Sequence, residues 1–361
     1  MTDLPHIRTV MDFMRYFNTD EKCLAYIIDL KFGKDGWTCR ICNYNQYTYL
    51  PSHESVRCNR CGHEESIISE TIMKNTHKPL AEWFWAIYTI STQKTGISAM
   101  ELYRQMDFGS YQTAWAWLQK LRLGMVSEDE TDKLKGTVEV DETYLYSGDE
   151  QGRSLKGNKA LVVGAVEVYK GYASGRVFLR EISSASAANL ESFVKDHIVK
   201  GSTIITDSWG GYNGLKRFGY NHKPVRLNIP EDASKQLPKI HIVFSNLKAW
   251  ITGTHRFVSK KHLQNYLNEF TVRFDNRRNP IEVFNDVLKL LMFQRSRTYE
   301  DFTEPAHPYY PNPKHIKKYY KETPKSNWKY FLGWTAIIGG TLTTLYAIKK
   351  ISERKNNGGT K

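Results

Sequence analysis

Four of the five cysteines fall within 23 residues, as Cys39-x-x-Cys42 and, after 15 residues, Cys58-x-x-Cys61. Two such knuckles bring four thiolates around one tetrahedral Zn²⁺, and a closed four-sulfur shell is structural rather than catalytic. So short a segment cannot bury enough apolar surface to fold alone, so the metal supplies its folding free energy. The window 37–66 is therefore expected to be a zinc ribbon. His63, directly after the second knuckle, could replace a thiolate or stand at the surface. A secreted disulfide framework would come with an export signal. The start MTDLPHIRTVMDF has acids and no apolar run of that length, which points to a reducing cytosol. Cys23, outside the window, reads as a small buried hydrophobe.

The 361 residues carry 51 Lys+Arg against 38 Asp+Glu, a formal charge of +13 with a pI near 9.3. Basicity of this size favours a polyanionic partner, most often nucleic acid. Arg40, Arg57 and Arg60 around the knuckles suit contact with a nucleic-acid backbone, and solvated surface charge reads equally well. Residues 1–36 look like a short helical lead with Met11, Phe13, Met14, Phe17, Cys23, Leu24 and Ile27 along one face. The segment LAEWFWAIYTIST is apolar almost all round, as in a buried helix. ISAMELYRQM and SYQTAWAWLQKLR, joined by DFGS, have the lengths of a helix-turn-helix that would present Gln112 and Thr113 to a DNA groove. Any helical hairpin would share that pattern, so the DNA-binding reading of 78–125 leans on the ribbon and the charge.

After a polar linker at 124–136 the periodicity becomes that of strands. GTVEVDETYLY, ALVVGAVEVY and GRVFLREI are β runs, AANLESFVKDHIVK is an amphipathic helix, and STIITD is a buried strand ending in Asp207. A turn at WGGY, a short helix, an edge strand near Val225 and a helix from about Ile240 complete a mixed sheet with helices on its faces. If the strands of Asp141 and Asp207 are neighbours, two carboxylates meet at the sheet's crevice. Hard divalent ions take such oxygen ligands, and two ions can activate a nucleophilic oxygen and stabilise a leaving one in phosphodiester displacement. A third ligand would come from the helix of IHIVFSNLK, where His241 stands in place of the expected carboxylate. Seven residues on, Lys248 would point the same way as a phosphate-binding cation. An imidazole tilts preference toward Mn²⁺ over Mg²⁺. Glu139 and Glu142 flank Asp141 and could substitute as ligands, and a capping or hydrogen-bonded histidine is the other reading of His241.

These blocks, VEVDETYLY, TDSWGGYNGLKRFGYNH and HIVFSNLKAWITGTHRFVSKKHLQNYLNEFTVRFDNRR, together with the cysteine knuckles, resemble a known family. Over roughly residues 20–295 the chain is similar to bacterial insertion-sequence transposases of the DDE, ribonuclease-H-like kind that carry an N-terminal zinc ribbon and are related to Merlin elements. The resemblance implies a ribonuclease-H-like α+β or α/β fold with two Mg²⁺ or Mn²⁺ ions at Asp141, Asp207 and His241, and Lys248 near the scissile phosphate. It also implies structural zinc at Cys39, Cys42, Cys58 and Cys61. Most relatives have Glu or Asn at the third position, and a subgroup has His. The implied reaction is hydrolysis at transposon ends to expose 3′-hydroxyls, then their attack on target DNA. Double-stranded DNA is the implied partner, bound by a homo-oligomer at the nucleoid or in the cytoplasm. A catalytically inactive DNA-binding derivative and a nuclease without strand transfer are the alternatives. Asn246, Trp250, Thr254, His255, Lys260, Lys261 and His262 fill the last block and Arg273, Arg277 and Arg278 follow it; some of these should face DNA, whereas Trp250, Leu263, Tyr266 and Phe270 read more simply as core.

The expected organisation is a helical lead at 1–36, the ribbon at 37–66, the helix-turn-helix-like region at 78–125 and the catalytic unit at 136–295. A linker at 300–329, rich in Pro and Tyr, would then lead to a charge-free segment at 330–348 and a basic tail at 349–361. At 1.5 Å per residue those 19 residues, Tyr330 to Ile348, extend roughly 28 Å, enough to span a membrane. A terminal helix that packs on a partner is the other reading.

Overall fold

Alternation in TVEVDETYLYSG builds the central strand of the larger sheet. The structure, a computed structural model, describes residues 7, 9–33, 36–125, 133–148, 154–169, 174–225, 236–277, 283–293 and 301. That strand, β4 (Thr137–Gly148), pairs antiparallel with β5 (Ser154–Val168), which pairs antiparallel with β6 (Ser174–Ile182). On its other side β4 pairs parallel with β7 (Thr203–Asp207), and β7 pairs parallel with β8 (Asn221–Val225). The order is thus β6-β5-β4-β7-β8, with the two-residue β9 (Val258–Ser259) beside the far end of β4. The crossover from β6 to β7 runs through α6 (Ala187–His197), whose Leu190, Phe193 and Val194 cover Val138, Val140, Val163 and Ile204 on one face. The opposite face is covered by α7 (Pro238–Trp250) and α8 (Lys260–Asp275). There Ile240, Val243, Phe244, Leu263 and Phe270 pack on Leu145, Val162, Val166 and Leu179. This is the mixed, ribonuclease-H-like sheet expected from the sequence.

Ahead of it stand α1 (Val10–Tyr16), α2 (Asp20–Phe32), a ribbon of β1 (Tyr47–Leu50), β2 (Ser55–Cys58) and β3 (Glu64–Ser66), and the helices α3 (Leu80–Thr92), α4 (Ala99–Gln105) and α5 (Tyr111–Gly124). Thr9, Thr19, Ser98 and Ser110 accept a backbone N–H at the starts of α1, α2, α4 and α5, which explains those boundaries. One core joins these elements, and it also takes in α9 (Val283–Met292). Val283, Phe284, Val287, Leu288, Leu291 and Met292 are all buried there, a stripe whose transfer from water is worth on the order of 10 kcal/mol as an upper bound. The last helix of the stretch 136–295 thus packs in the N-terminal core. Periodicity shows that a helix has an apolar stripe but not which core receives it.

Helices α5 and α8 lock the two cores together. Arg122 donates to Glu269 at 2.7 Å with both side chains buried, and Asn265 donates to Gln119 at 3.0 Å. No helix among the described residues is long and apolar enough to cross a membrane. The segment 330–348, like the linker and basic tail around it, lies outside the described residues.

Candidate active site and metal centre

The two knuckles of the ribbon are built alike. Asn43 N–H donates to the Cys39 carbonyl and Gly62 N–H to the Cys58 carbonyl, at 2.8 and 3.0 Å. Each chain then turns back, Cys39 N–H to the Tyr44 carbonyl and Cys58 N–H to the His63 carbonyl, both at 2.8 Å. The turns need a left-handed residue, supplied by Asn43 (φ 57°) and Gly62 (φ 72°). The result is four sulfurs within 4.8 Å of one another, with Cys39–Cys61 and Cys42–Cys58 each at 3.6 Å. That spacing is too long for a disulfide of roughly 2.05 Å and close to the edge of a tetrahedron with bonds of roughly 2.3 Å. His63 is not needed as a fifth donor, because its Nε2 accepts from Arg40 Nε at 3.1 Å. Arg40 also faces Glu65 and Glu70, and Arg57 pairs with Glu64 at 3.0 Å, so acids already answer two of the three arginines read as backbone contacts.

The second site lies where β4 and β7 run side by side. Their parallel register pairs Val138 with Ile204 and Glu139 with Ile205, so two residues further on Asp141 stands beside Asp207. Asp207 Oδ1 accepts the Trp209 N–H at 3.0 Å, which orients the carboxylate at the strand's end. Glu139, two residues before Asp141 and so on its face, accepts from the N–H groups of Lys239 and Ile240 at 2.8 and 3.0 Å. It thereby caps α7, whose start carries no capping side chain of its own. A helix fixed at that point brings His241 Nε2 to 3.4 Å from Asp141 Oδ2. Glu142 points to the other face, where the Tyr212 hydroxyl donates to it at 2.6 Å.

The electrostatics of this cluster are those of uncompensated acid. Burial pushes the Asp141 carboxyl up to about 6, and the charges of Asp207 and Glu139 add to the rise, while a backbone N–H and Lys248 oppose it. Glu142 is pushed up to about 7, again mainly by burial, against the Tyr212 hydrogen bond and with Asp141 and Asp207 adding. Burial, with Lys248 nearby, depresses His241, so its imidazole is neutral at pH 7. Its buried Nε2 has no hydrogen-bond partner. An imidazole lone pair and a carboxylate oxygen gain nothing from each other, and a shared cation is what suits the pair. Their 3.4 Å separation is near that of two neighbouring ligands on one ion with bonds of roughly 2.1 Å. Among the described residues only the cysteine tetrad brings three or more donors within 4.8 Å, so Asp141, Asp207 and His241 are more widely spread than that.

The family model for the ISXO2-like transposase domain matches residues 133–275. Over that stretch the chain is similar to insertion-sequence transposases. A relative described as an uncharacterised protein in transposable element ISH50 of Halobacterium salinarum is 22% identical over 271 residues, which span 67% of this chain and 86% of that protein. Among solved structures, a simian T-cell lymphotropic virus intasome in complex with PP2A regulatory subunit B56 gamma aligns over 52% of this chain and 70% of its own. Its sequence identity is 10% and its TM-score 0.28, too weak a likeness to bear on the fold. The matched stretch contains Asp141, Asp207, His241 and Lys248, and it ends at Asp275, before the helix that joins the N-terminal core.

Three of the residues read from the sequence as candidates to face DNA are engaged within the protein. His255 is pushed down to about 2 by burial and by Arg122 and Arg273. Arg273 donates to the Gln93 and Lys94 carbonyls, and Arg277 to the Ser174 and Phe274 carbonyls. Arg278 lies outside the described residues. Lys248 is exposed, as is Gln112, whereas Thr113 is half-buried and tied to the Ser110 cap of α5. Sequence reasoning missed Gly164, opposite Asp141 on β5, where an added Cβ would lie 2.8 Å from Phe244, 2.9 Å from Leu179 and 3.0 Å from Ile240. A lone glycine inside the run ALVVGAVEV was the available signal of a close approach.

Proposed function

We propose that the chain is a DNA transposase that hydrolyses phosphodiesters at transposon ends and joins the resulting 3′-hydroxyls to target DNA. Asp141, Asp207 and His241 would hold the divalent metal ions, and Cys39, Cys42, Cys58 and Cys61 a structural zinc. The observation that carries this reading is the buried, unpartnered His241 Nε2 facing Asp141 Oδ2 beside the end of the Asp207 strand. Two carboxylates and a neutral imidazole are a donor set for Mn²⁺ or Mg²⁺, with the softer nitrogen favouring Mn²⁺. Bound there, two ions would supply activation of the attacking oxygen and stabilisation of charge on the leaving one.

The chain's own contribution is placement. Burial and Lys248 keep His241 neutral, leaving a lone pair free to ligate. Trp209 orients Asp207, and Glu139 and Gly164 set the height of α7 over Asp141. Lys248, exposed two turns beyond His241, is available to a DNA phosphate as a point charge. A double-stranded DNA substrate fits both the transposase domain and the charge of +13.

The test is strand cleavage and joining by the purified chain with Mn²⁺ or Mg²⁺ and DNA carrying the element's ends. Metal-dependent 3′-hydroxyl ends and joined products are expected, and full activity in Asp207→Ala would sink the assignment. Cleavage without joined products would leave a nuclease. Binding without cleavage would leave a DNA-binding derivative.

A further inference from the structure

The strand that carries Asp141 continues as a surface the proposed chemistry does not use. Beyond Asp141, alternate residues of β4 part company. Thr143 and Leu145 are 8% and 4% exposed on the α7–α8 face, while Tyr144 and Tyr146, facing the other way, are 60% and 73% exposed. The α6 face covers β4 at Val138 and Val140 and leaves these positions open. A strand buried on one side ordinarily carries polar residues at its solvent positions, yet here both hold large rings. Across the ladder Tyr146 pairs with Lys159, which puts the lysine on the same face. Its Nζ sits 5.8 Å from the centroid of each tyrosine, an ammonium between two aromatic rings.

We propose that Tyr144, Tyr146 and Lys159 form a binding platform for unpaired nucleotides of the DNA strand adjoining the phosphate held at Asp141. The proposal rests on the transposase reading for the identity of that strand. Aromatic rings offer every base a stacking surface without reading sequence, and a cation beside them meets the backbone. Two residues along a strand separate the tyrosines by roughly 7 Å, about two base-stacking steps of roughly 3.4 Å. The nearer ring lies roughly 10 Å along the strand from Asp141 and on the opposite face of the sheet, so a strand joining the two would pass round the edge of β4 between its pairing with β7 and its pairing with β9, a path of a few nucleotides. The lysine's charge complements the phosphates, and the chain's excess of 13 positive charges favours the same partner.

Fluorescence anisotropy of the full-length chain with labelled oligo-dT, and with a duplex of equal length, tests this. Tyr144→Ala/Tyr146→Ala is expected to weaken oligo-dT binding about tenfold or more while changing duplex binding less than about threefold. Tyr144→Phe/Tyr146→Phe keeps the rings and should keep the affinity, which separates stacking from loss of fold. Lys159→Gln should lower the salt dependence of oligo-dT binding by about one phosphate contact. Unchanged oligo-dT affinity in the alanine variant overturns the platform, as does equal loss toward duplex. A changed oligomeric state with oligo-dT affinity intact would assign the face to a second copy of the chain and also overturn it. Metal-dependent cleavage, read in parallel, reports on the transposase chemistry. Its absence in every form, with oligo-dT binding still lost in the alanine variant, would remove that chemistry and keep the platform.

Discussion

The Glu139 carboxylate caps the backbone N–H of Ile240 at 3.0 Å, and through this contact a residue two positions before Asp141 fixes the helix that carries His241. Lys239 N–H donates to the same oxygen at 2.8 Å. An acid that looked like a spare metal ligand thus has an oxygen engaged in holding the helix of His241, the proposed third ligand, in place.

Glu139→Ala removes the oxygen that accepts both bonds and leaves two buried N–H groups at the start of α7. The expected cost is about 1–3 kcal/mol in chemical denaturation, with metal-dependent cleavage reduced more than in Glu139→Gln. The glutamine keeps an acceptor oxygen and drops a charge that burial disfavours, so its stability at pH 7 should be near wild type. Equal losses in the two variants would argue against the cap.

The raised carboxyl of Asp141 makes the metal-free protein sensitive to pH. Its ordinary value is 3.8 and the folded value about 6, so the folded chain holds this proton more tightly than the unfolded one. The resulting stability is present in full below about pH 4 and lost as pH rises through about 6. Asp141→Asn should accordingly be more stable than wild type at pH 8, by on the order of 2–3 kcal/mol in buffer free of Mg²⁺ and Mn²⁺. The difference should shrink toward pH 4, and Mn²⁺ should narrow it at pH 8 by stabilising only the wild type. Thermal denaturation across pH measures both.

Gly164→Ala would push a methyl into Phe244, Leu179 and Ile240, the contacts that seat α7 on the sheet. Overpacking of this kind costs about 1–3 kcal/mol. Phe244→Leu in the same chain frees space on one side, so the double variant should recover part of that loss, with the coupling read from a double-mutant cycle. Additive losses would mean that α7 does not bear on Gly164.

The zinc ribbon is predicted to hold up more than itself, since Cys39, Val56 and Cys58 belong to the N-terminal core with α3 and α9. Cys58→Ser should reduce bound zinc from about one ion per chain to a small fraction, measured by elemental analysis. The N-terminal core should then melt earlier. Zinc retained at full stoichiometry would reject the tetrad.

Local chemistry was legible from the sequence, and long-range choice was not. The succession β-β-β-α-β along the chain followed from alternation and periodicity, and the knuckle spacing led directly to sulfurs 3.6 Å apart. Pairing Asp141 with Asp207 needed only that β4 and β7 be neighbours, which a single crossover helix allows. The core that would receive α9, the helix start that Glu139 would cap, the acceptors of Arg273 and the Ser174 acceptor of Arg277 are all decided between residues about 100 or more apart. Composition and periodicity hold no information at that separation. An arginine in a strongly basic chain therefore reads as a nucleic-acid contact until its carbonyl partners are seen.

His241→Glu asks what the histidine does in place of a carboxylate. The neutral imidazole reaches Asp141 without adding charge to a cluster in which burial and mutual repulsion already raise two acids. A glutamate there adds a third negative charge, which raises the need for metal and suits a harder ion. The variant is expected to cleave with the ratio of Mg²⁺- to Mn²⁺-supported rates shifted toward Mg²⁺. Without metal it should be less stable than wild type at pH 8. His241→Ala should lose about a hundredfold or more with either ion, because a ligand is gone and not merely exchanged. If His241→Ala instead keeps wild-type rates with both metals, the imidazole is a packing residue of α7 and the metal site must be built from the carboxylates alone.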